Sequence, residues 1–429
     1  GVPVVNIATP SNGLSHNRFT DYNVGQNGLI LNNAAGKTQS TQLGGIIVGN
    51  PNLKGGAAQK ILNEVTGANP SQLRGYTEVA GQAAHVIVAN PHGITCNGCG
   101  FINNPRATLT TGKPILDAGR LQGYDVNGGE IAIEGDGLNA SNVDRFELIA
   151  RATKLNADLH ANQLTVVAGR NQVDAQTLAA TAKADDGSAK PQLAIDSSAL
   201  GGMYAGAIRL VGTEQGVGVK LAGNMAASAG DIQIDANGQL NLAQAATSAN
   251  LRATASSIAL NGPTYAAGSA ELNASGQLSN SQSLAAGQHI ALNAAQLSNS
   301  GIIEAGVNPD NSRNAQGDVA ITAQNLRNSG SVVASRNLDA NAAGSLDNQR
   351  GASLRGANTT VRASSLSNQG RVLANNSLSL AGQQLSNAGG EISAPSIQVQ
   401  GGSLDNRLGL FSAGQLGNQG GLISSQGDL

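Results

Sequence analysis

The tripeptide Leu-X-Asn recurs through the C-terminal half of the chain, starting at Leu278, Leu297, Leu326, Leu346, Leu366, Leu385 and Leu404. The steps between copies are 19, 29, 20, 20, 19 and 19 residues. A fixed period of this length marks a solenoid, in which one unit cannot bury its apolar face alone and leans on the next. Within each unit the order also recurs, as in Leu366-Ser367-Asn368-Gln369-Gly370-Arg371-Val372-Leu373-Ala374, followed by Leu378-Ser379-Leu380. The dense Leu-X-X-Leu-X-Leu framework of leucine-rich repeats is missing. Apolar residues instead alternate with period two between Gly and Asn corners. The pattern predicts an all-β chain, a right-handed parallel β-helix with coils of about 20 residues. Asparagine suits the corners because it tolerates left-handed backbone, and asparagines repeated at one corner stack as an amide ladder. The 29-residue step reads as one coil with an insertion, for which Asn308-Pro309-Asp310-Asn311-Ser312 supplies loop chemistry. A last copy, Leu416-Gly417-Asn418, comes early.

Composition agrees with a narrow, regular interior. Aromatic residues make up 2% of the chain and Trp is absent, so the large rings that fill compact cores are lacking. The 40% apolar content argues against disorder. A net charge of −2 with no basic cluster leaves no electrostatic footprint for nucleic acid. No apolar run approaches the ~18 residues of a membrane span. β-Helix polysaccharide lyases need clustered carboxylates or a calcium site, whereas the 27 acidic residues here are dispersed. Asp185-Asp186 sits beside Lys183 and Lys190 and reads as solvated. His16, His85, His92, His160 and His289 are scattered. No catalytic site, cofactor or metal is expected.

The first half is less regular. Residues 1–33 read as an N-terminal cap, because the open end of a β-helix is a sheet edge that needs cover. Ala57, Ala58, Ile61, Leu62 and Val65 fall at helical spacing and predict a short helix within 56–67. Alternation returns at Ile131-Ala132-Ile133 and Leu164-Thr165-Val166. A polar excursion covers Ala180 to Leu200, and coils resume from Ile208.

Two Asn-Pro turns follow matching strands. Ile46-Ile47-Val48-Gly49 leads into Asn50-Pro51-Asn52-Leu53, and Val86-Ile87-Val88-Ala89 leads into Asn90-Pro91-His92-Gly93-Ile94. Asn at the first turn position accepts backbone hydrogen bonds, Pro arrives with φ already set, and Gly suits the fourth position. These two motifs, the opening Val2-Pro3-Val4-Val5-Asn6-Ile7-Ala8 and the run Leu200-Gly201-Gly202-Met203-Tyr204-Ala205 resemble two-partner-secretion exoproteins. Within that family the chain is most similar to contact-dependent growth inhibition exoproteins and filamentous haemagglutinins. One departure is His92, where the family's second motif has Asn; the turn tolerates it, but a role for that side-chain amide does not carry over.

The resemblance implies a secretion domain over residues 1–240 and haemagglutinin-type repeats over 241–429. It implies that an outer-membrane β-barrel transporter recognises the first part through periplasmic POTRA domains, with Asn50, Pro51, Asn52, Leu53, Asn90, Pro91, His92, Gly93 and Ile94 as the recognition motifs. The chain would cross unfolded, fold outside as a monomer, and form a cell-surface filament for adhesion or for delivering a C-terminal toxin to a target-cell receptor. The family's signal peptide is removed, so Gly1 is expected near a mature N-terminus, and the ending at Gly427-Asp428-Leu429 in mid-pattern reads as a cut within a longer protein. The alternative is a stand-alone host-binding adhesin rod. Cys96-Asn97-Gly98-Cys99 holds both cysteines. As a metal site it is half a set that only His85 or His92 complete. As a redox site it lacks a βαβ setting. In an exported protein a structural Cys96–Cys99 disulfide beside the Asn90 turn is the expectation.

Overall fold

The structure, a computed structural model, describes residues 1–419 and 423–425; the ending Gly427-Asp428-Leu429 lies outside them. The chain divides into two compact units, one of Gly1–Ala229 with Ile234–Gly238, the other of Gly230–Gln233 with the chain from Gln239 onward. Both are parallel β-solenoids of stacked coils.

In the second unit the Leu-X-Asn repeat is the hinge of each coil. Leu278, Leu297, Leu326, Leu346, Leu366, Leu385 and Leu404 stand in one parallel register column and are all buried. Two residues on, each asparagine also turns inward and donates its amide to the next. Asn280 reaches Asn299 at 2.9 Å, Asn299 reaches Asn328 at 3.0 Å, Asn328 reaches Asn348 at 2.9 Å and Asn348 reaches Asn368 at 2.9 Å. Asn368 to Asn387 and Asn387 to Asn406 follow at 2.8 and 2.6 Å. The same nitrogens reach backbone carbonyls of the following coil, such as Arg371 O from Asn348 at 3.1 Å. A buried polar row of this kind is tolerable because its members bond one another and the backbone; at its end Asn406 accepts from Asn387, while its own Nδ2 has no partner among the described residues. The insertion in the long coil leaves the row intact: it is a surface loop in which Arg313 clamps the Glu304 carboxylate at 2.7 and 3.0 Å. Asn348→Ala would strip Asn328 Nδ2 of one of its two acceptors, Ser353 O remaining, and Asn368 of its donor. We expect a loss of about 1–3 kcal/mol for each group left unpaired, read as a lower urea midpoint.

In the first unit Leu14–Phe19, Lys60–Val65, His85–Ala89, Arg106–Thr110, Leu138–Ala150, Leu159–Ala168 and Ala207–Gly212 form one parallel ladder. Two further ladders complete each coil, one through Ser71–Leu73, Ile94–Cys96, Glu130–Ile133 and Ala152–Leu155, the other through Leu29–Asn33, Tyr76–Gly81 and Cys99–Ile102.

Three expectations are corrected here. The helix predicted within 56–67 is the strand Lys60–Val65, bonded on both sides to parallel neighbours. The only helical element among the described residues is a single 3-10 turn, Pro51–Leu53. Residues 1–33 do not precede the first strand: they cover the end of the solenoid with strands of their own, Val4–Asn6, Leu14–Phe19 and Leu29–Asn33, which pair onto the ladders. The polar excursion over Ala180 to Leu200 is shorter than expected: it begins with a strand, and Leu193–Ser197 is back in the parallel ladders. Ala180–Ala182 pairs with Asn171–Asp174, which pairs with Arg120–Val126, which pairs with Lys113–Asp117, all antiparallel.

That four-stranded sheet lies outside the coils and makes a second core. Tyr124, Val126, Val173 and Leu178 from the sheet pack on Leu62, Ile87, Ile149 and Val167, which face outward from the coil strands. The long ladder is therefore buried on both faces in this region.

Candidate functional site

The two Asn-Pro turns are the same construction built twice. Asn50 Oδ1 accepts from Asn52 N at 2.9 Å, and Leu53 N donates to Asn50 O at 3.2 Å. Asn90 Oδ1 accepts from His92 N at 2.9 Å, and Gly93 N donates to Asn90 O at 3.2 Å. Pro51 and Pro91 follow each asparagine with φ preset and no N–H to satisfy. Both asparagines are buried, at 4% and 0% exposure. Their amide nitrogens reach away from the turn. Asn50 Nδ2 donates to Ile7 O at 3.0 Å and Asn32 O at 2.9 Å. Asn90 Nδ2 donates to Asn69 O at 2.9 Å and Ser71 Oγ at 3.0 Å. Each side chain thus closes its own turn with the oxygen and ties it to an earlier segment with the nitrogen. Leu53 and Ile94 anchor the far side of each turn in the core.

The third position differs between them. Asn52 adds a bond from Nδ2 to Ile7 O at 3.0 Å, while His92 is exposed. The fourth position differs too: Gly93 has φ +114° and an added Cβ would lie 3.0 Å from Glu130 O, so glycine is required there.

The strands leading in look alike in sequence and are opposite in setting. His85–Ala89 is buried throughout and lies between parallel neighbours. Gly45–Val48 is half of an antiparallel hairpin with Thr38–Thr41, and Ile46 and Val48 are each 76% exposed. The hairpin's tip is held by the buried Glu78 carboxylate, which accepts from Gln42 N and Leu43 N at 2.8–3.0 Å. Ile7, Asn32, Asn69, Ser71 and Glu78 thus position the site; Ile7 stands in the opening motif, but none of the five was read from sequence as holding the turns. Each lies 18 or more residues from the group it holds, apart in any local window.

Cys96 and Cys99 are joined in a disulfide, with Cα atoms 5.5 Å apart. The bridge spans the Asn97-Gly98 turn, where Gly98 has φ +76°, two residues beyond Ile94. His85 is turned elsewhere, with Nε2 2.8 Å from Thr108 Oγ1. Reduction should raise the intact mass by two hydrogens. Because the closed loop is so short, it should cost no more than about 2 kcal/mol of stability.

Beneath the antiparallel sheet, His85 begins a buried polar chain. Thr108 Oγ1 donates to Glu147 Oε1 at 2.8 Å, so His85 Nε2 carries the proton it donates to Thr108. Arg106 Nε donates to the same carboxylate oxygen at 2.6 Å and Arg106 Nη2 to Ala175 O of the sheet at 2.7 Å. Burial pushes the Glu147 carboxyl above its usual value despite Arg106 and Thr108. Burial, aided by Arg106, Lys60 and Arg145, holds His85 well below 6.5, so its imidazole is neutral. The chain is a clamp between coil and sheet.

Among the described residues no group of three or more His, Cys, Asp or Glu side chains is placed to hold a metal ion, and no helix is long and apolar enough to cross a membrane.

Comparison with known proteins gives consistent likenesses. A family model described as a TPS secretion domain matches residues 1–242. A "16S rRNA endonuclease CdiA" of Enterobacter cloacae is 57% identical over 271 residues, which cover 62% of this chain and 8% of that protein. A "tRNA nuclease CdiA" of Escherichia coli is 47% identical over 375 residues, 86% of this chain and 11% of the relative. Another, of Yersinia mollaretii, is 44% identical over 386 residues, 89% of this chain and 13% of the relative. The chain thus spans roughly a tenth of the length of these curated relatives. A crystal structure of a filamentous hemagglutinin secretion domain superposes with a TM-score of 0.55 at 38% identity, covering 62% of this chain and 90% of that one.

Proposed function

The chain belongs to the TPS secretion domain family, and from that premise we propose that it is the secretion-directing part of a large surface exoprotein. Its N-terminal unit engages a dedicated outer-membrane β-barrel transporter, whose periplasmic POTRA domains receive the unfolded chain. The Asn50 and Asn90 motifs act at this step, and on the far side they fasten the first coils so that later coils add to them. The observation that carries this reading is the shared construction of the two turns, each built on a buried asparagine that binds an earlier segment. A solenoid nucleated at one place and extended coil by coil gains stability with each addition, which supplies a drive for passage without nucleotide hydrolysis.

The nuclease names belong to the relatives. In the protein of which this chain is the matching part, we propose that the solenoid carries a C-terminal toxin to neighbouring cells in contact-dependent growth inhibition, and that this chain itself targets and folds rather than catalyses. Residues 1–242 produced alone in the periplasm of a cell exporting the full-length exoprotein should compete for the transporter and reduce the amount at the surface. Undiminished export, with the fragment present and folded-competent by circular dichroism after purification, would remove the recognition role from this unit.

A further inference from the structure

The hairpin before the Asn50 turn is held at its base by residues that precede it and at its tip by one that follows it. At the base Asn50 N donates to Ala34 O at 2.8 Å and Asn32 Nδ2 donates to Val48 O at 2.9 Å. At the tip Gln42 N and Leu43 N converge on the Glu78 carboxylate, 36 and 35 residues further along the chain. Glu78 lies in Tyr76–Gly81, the middle strand of three, with Ile30 and Ile102 beside it in register. It is 4% exposed. Ile30 is fully buried, and the tip covers it: a Cβ on Gly44 would stand 2.8 Å from Ile30 Cδ1. Leu43 packs down in the same way on Gly28, its Cδ1 2.8 Å from where a Cβ would be.

We infer that Glu78 is a latch: it makes closure of the hairpin over 38–48 and docking of Tyr76–Gly81 one event, so that the hairpin stays open until that strand is in place. Two strands of four residues each do not hold together alone in water. This pair has little burial to add, since Ile46 and Val48 remain 76% exposed. Glu78 supplies the acceptors for both turn amides, which is what the hairpin lacks by itself. The dependence also runs the other way. A carboxylate taken out of water without partners is costly, so the tip covers the Ile30–Glu78 row only when its N–H groups reach the carboxylate. An apolar residue at 78 would accept cover from a loop in any register. A carboxylate accepts only a tip whose successive amides point at it, so the hairpin's register is specified together with its timing. In a chain that emerges N-terminus first, the base would be set by Asn32 and Ala34 while the tip waits for Glu78. The inference concerns folding of the purified chain and does not rest on the export reading.

The test is amide hydrogen exchange of the whole chain, resolved to short peptides. During refolding from urea, 38–48 of the parent should gain protection in the same phase as 76–81 and not before it. Under native conditions Glu78→Gln, which puts a donor where one acceptor oxygen stood, should speed exchange in 38–48 by about tenfold or more, the loss of one or two hydrogen bonds. Exchange in 106–110 of the same unit should stay at the parent rate. Glu130→Gln removes an exposed carboxylate paired with Lys154 and should leave the hairpin as protected as in the parent. The proposal is overturned if 38–48 of the parent is protected before 76–81, or if Glu78→Gln leaves the hairpin at the parent rate. It is overturned equally if Glu78→Gln speeds 38–48 and 106–110 alike, which would make Glu78 an ordinary core residue of the unit. Should Glu78→Gln not fold, the order of protection in the parent decides alone.

Discussion

Asn50→Ala and Asn90→Ala should each reduce export to a small residue of the parent level, while Asn299→Ala and Asn368→Ala leave it nearly intact. The four positions make a matched set. Each asparagine is buried, each accepts at least one hydrogen bond and each donates to two or more groups. Each alanine therefore removes comparable bonding, about 1–3 kcal/mol per group left unpaired, and general destabilisation predicts equal effects at all four. A difference in export isolates the place of the bond rather than its strength. Asn50 and Asn90 fasten segments from the first 71 residues, whereas Asn299 and Asn368 sit within a row of like neighbours. The measurement is surface protein by immunoblot beside refolding of purified variants followed by circular dichroism. Equal export from all four would reduce the two motifs to ordinary turns.

Arg106→Leu should destabilise the first unit by about 3–5 kcal/mol near neutral pH, because it leaves the Glu147 carboxylate buried without its cation. Glu147 is 1% exposed and Arg106 is its only ion-pair partner among the described residues. The pH dependence has a definite sign. Glu147 holds its proton to higher pH in the folded chain than in the unfolded one, so its contribution is most favourable below the unfolded value near 4.5 and is lost as pH rises through the folded value. Removing Arg106 takes away an influence that lowers Glu147, so the folded value moves further up. It also takes away one of the charges that hold His85 low, which eases the acid cost of that neutral imidazole. Both changes make the deficit of the variant against the parent shrink as pH falls from 7 toward 4.5. Urea midpoints of the two proteins across that range test this; a constant deficit would mean that the ion pair is not its source.

Why some of this was readable from sequence and some was not follows from how many faces each strand buries. In the repeat unit one face is inside and one outside, so Leu366 and Asn368 point in while Ser367 points out, and alternation is plain. In Lys60–Val65 both faces are covered: Ile61 belongs to the inner core and Leu62 to the outer one beneath the antiparallel sheet. Alternation then disappears, and the remaining apolar spacing imitates a helix. The antiparallel sheet was harder to read because its two hairpins, Lys113–Asp117 with Arg120–Val126 and Asn171–Asp174 with Ala180–Ala182, are joined to each other over a long separation, as Val126 with Asn171 shows. The Asn-Pro turns were legible because their chemistry is local. Their anchoring was not, because Ile7 and Asn32 in one case and Asn69 and Ser71 in the other belong to other coils. Nor did sequence distinguish the solvent-facing strand before Asn50 from the buried one before Asn90, since both are runs of β-branched residues.

The long coil has a consequence for how such a chain tolerates change. Residues 306–317 depart from the coil after Ala305 and return at Asp318, yet Asn299 still meets Asn328 at 3.0 Å and the following coils keep their register. Alignment is carried by the corner amides and the inward leucines, so the outward corner after Ala305 is free of that duty. Ala286 and Ala334 occupy the same register position in the coils on either side, where the connection is two residues long. These corners are interchangeable sockets: a peptide spliced after Ala286 or Ala334 should be displayed on the side of the solenoid without disturbing the coils above and below it. Diversification of the surface is thereby uncoupled from the pairing code that keeps the coils in step.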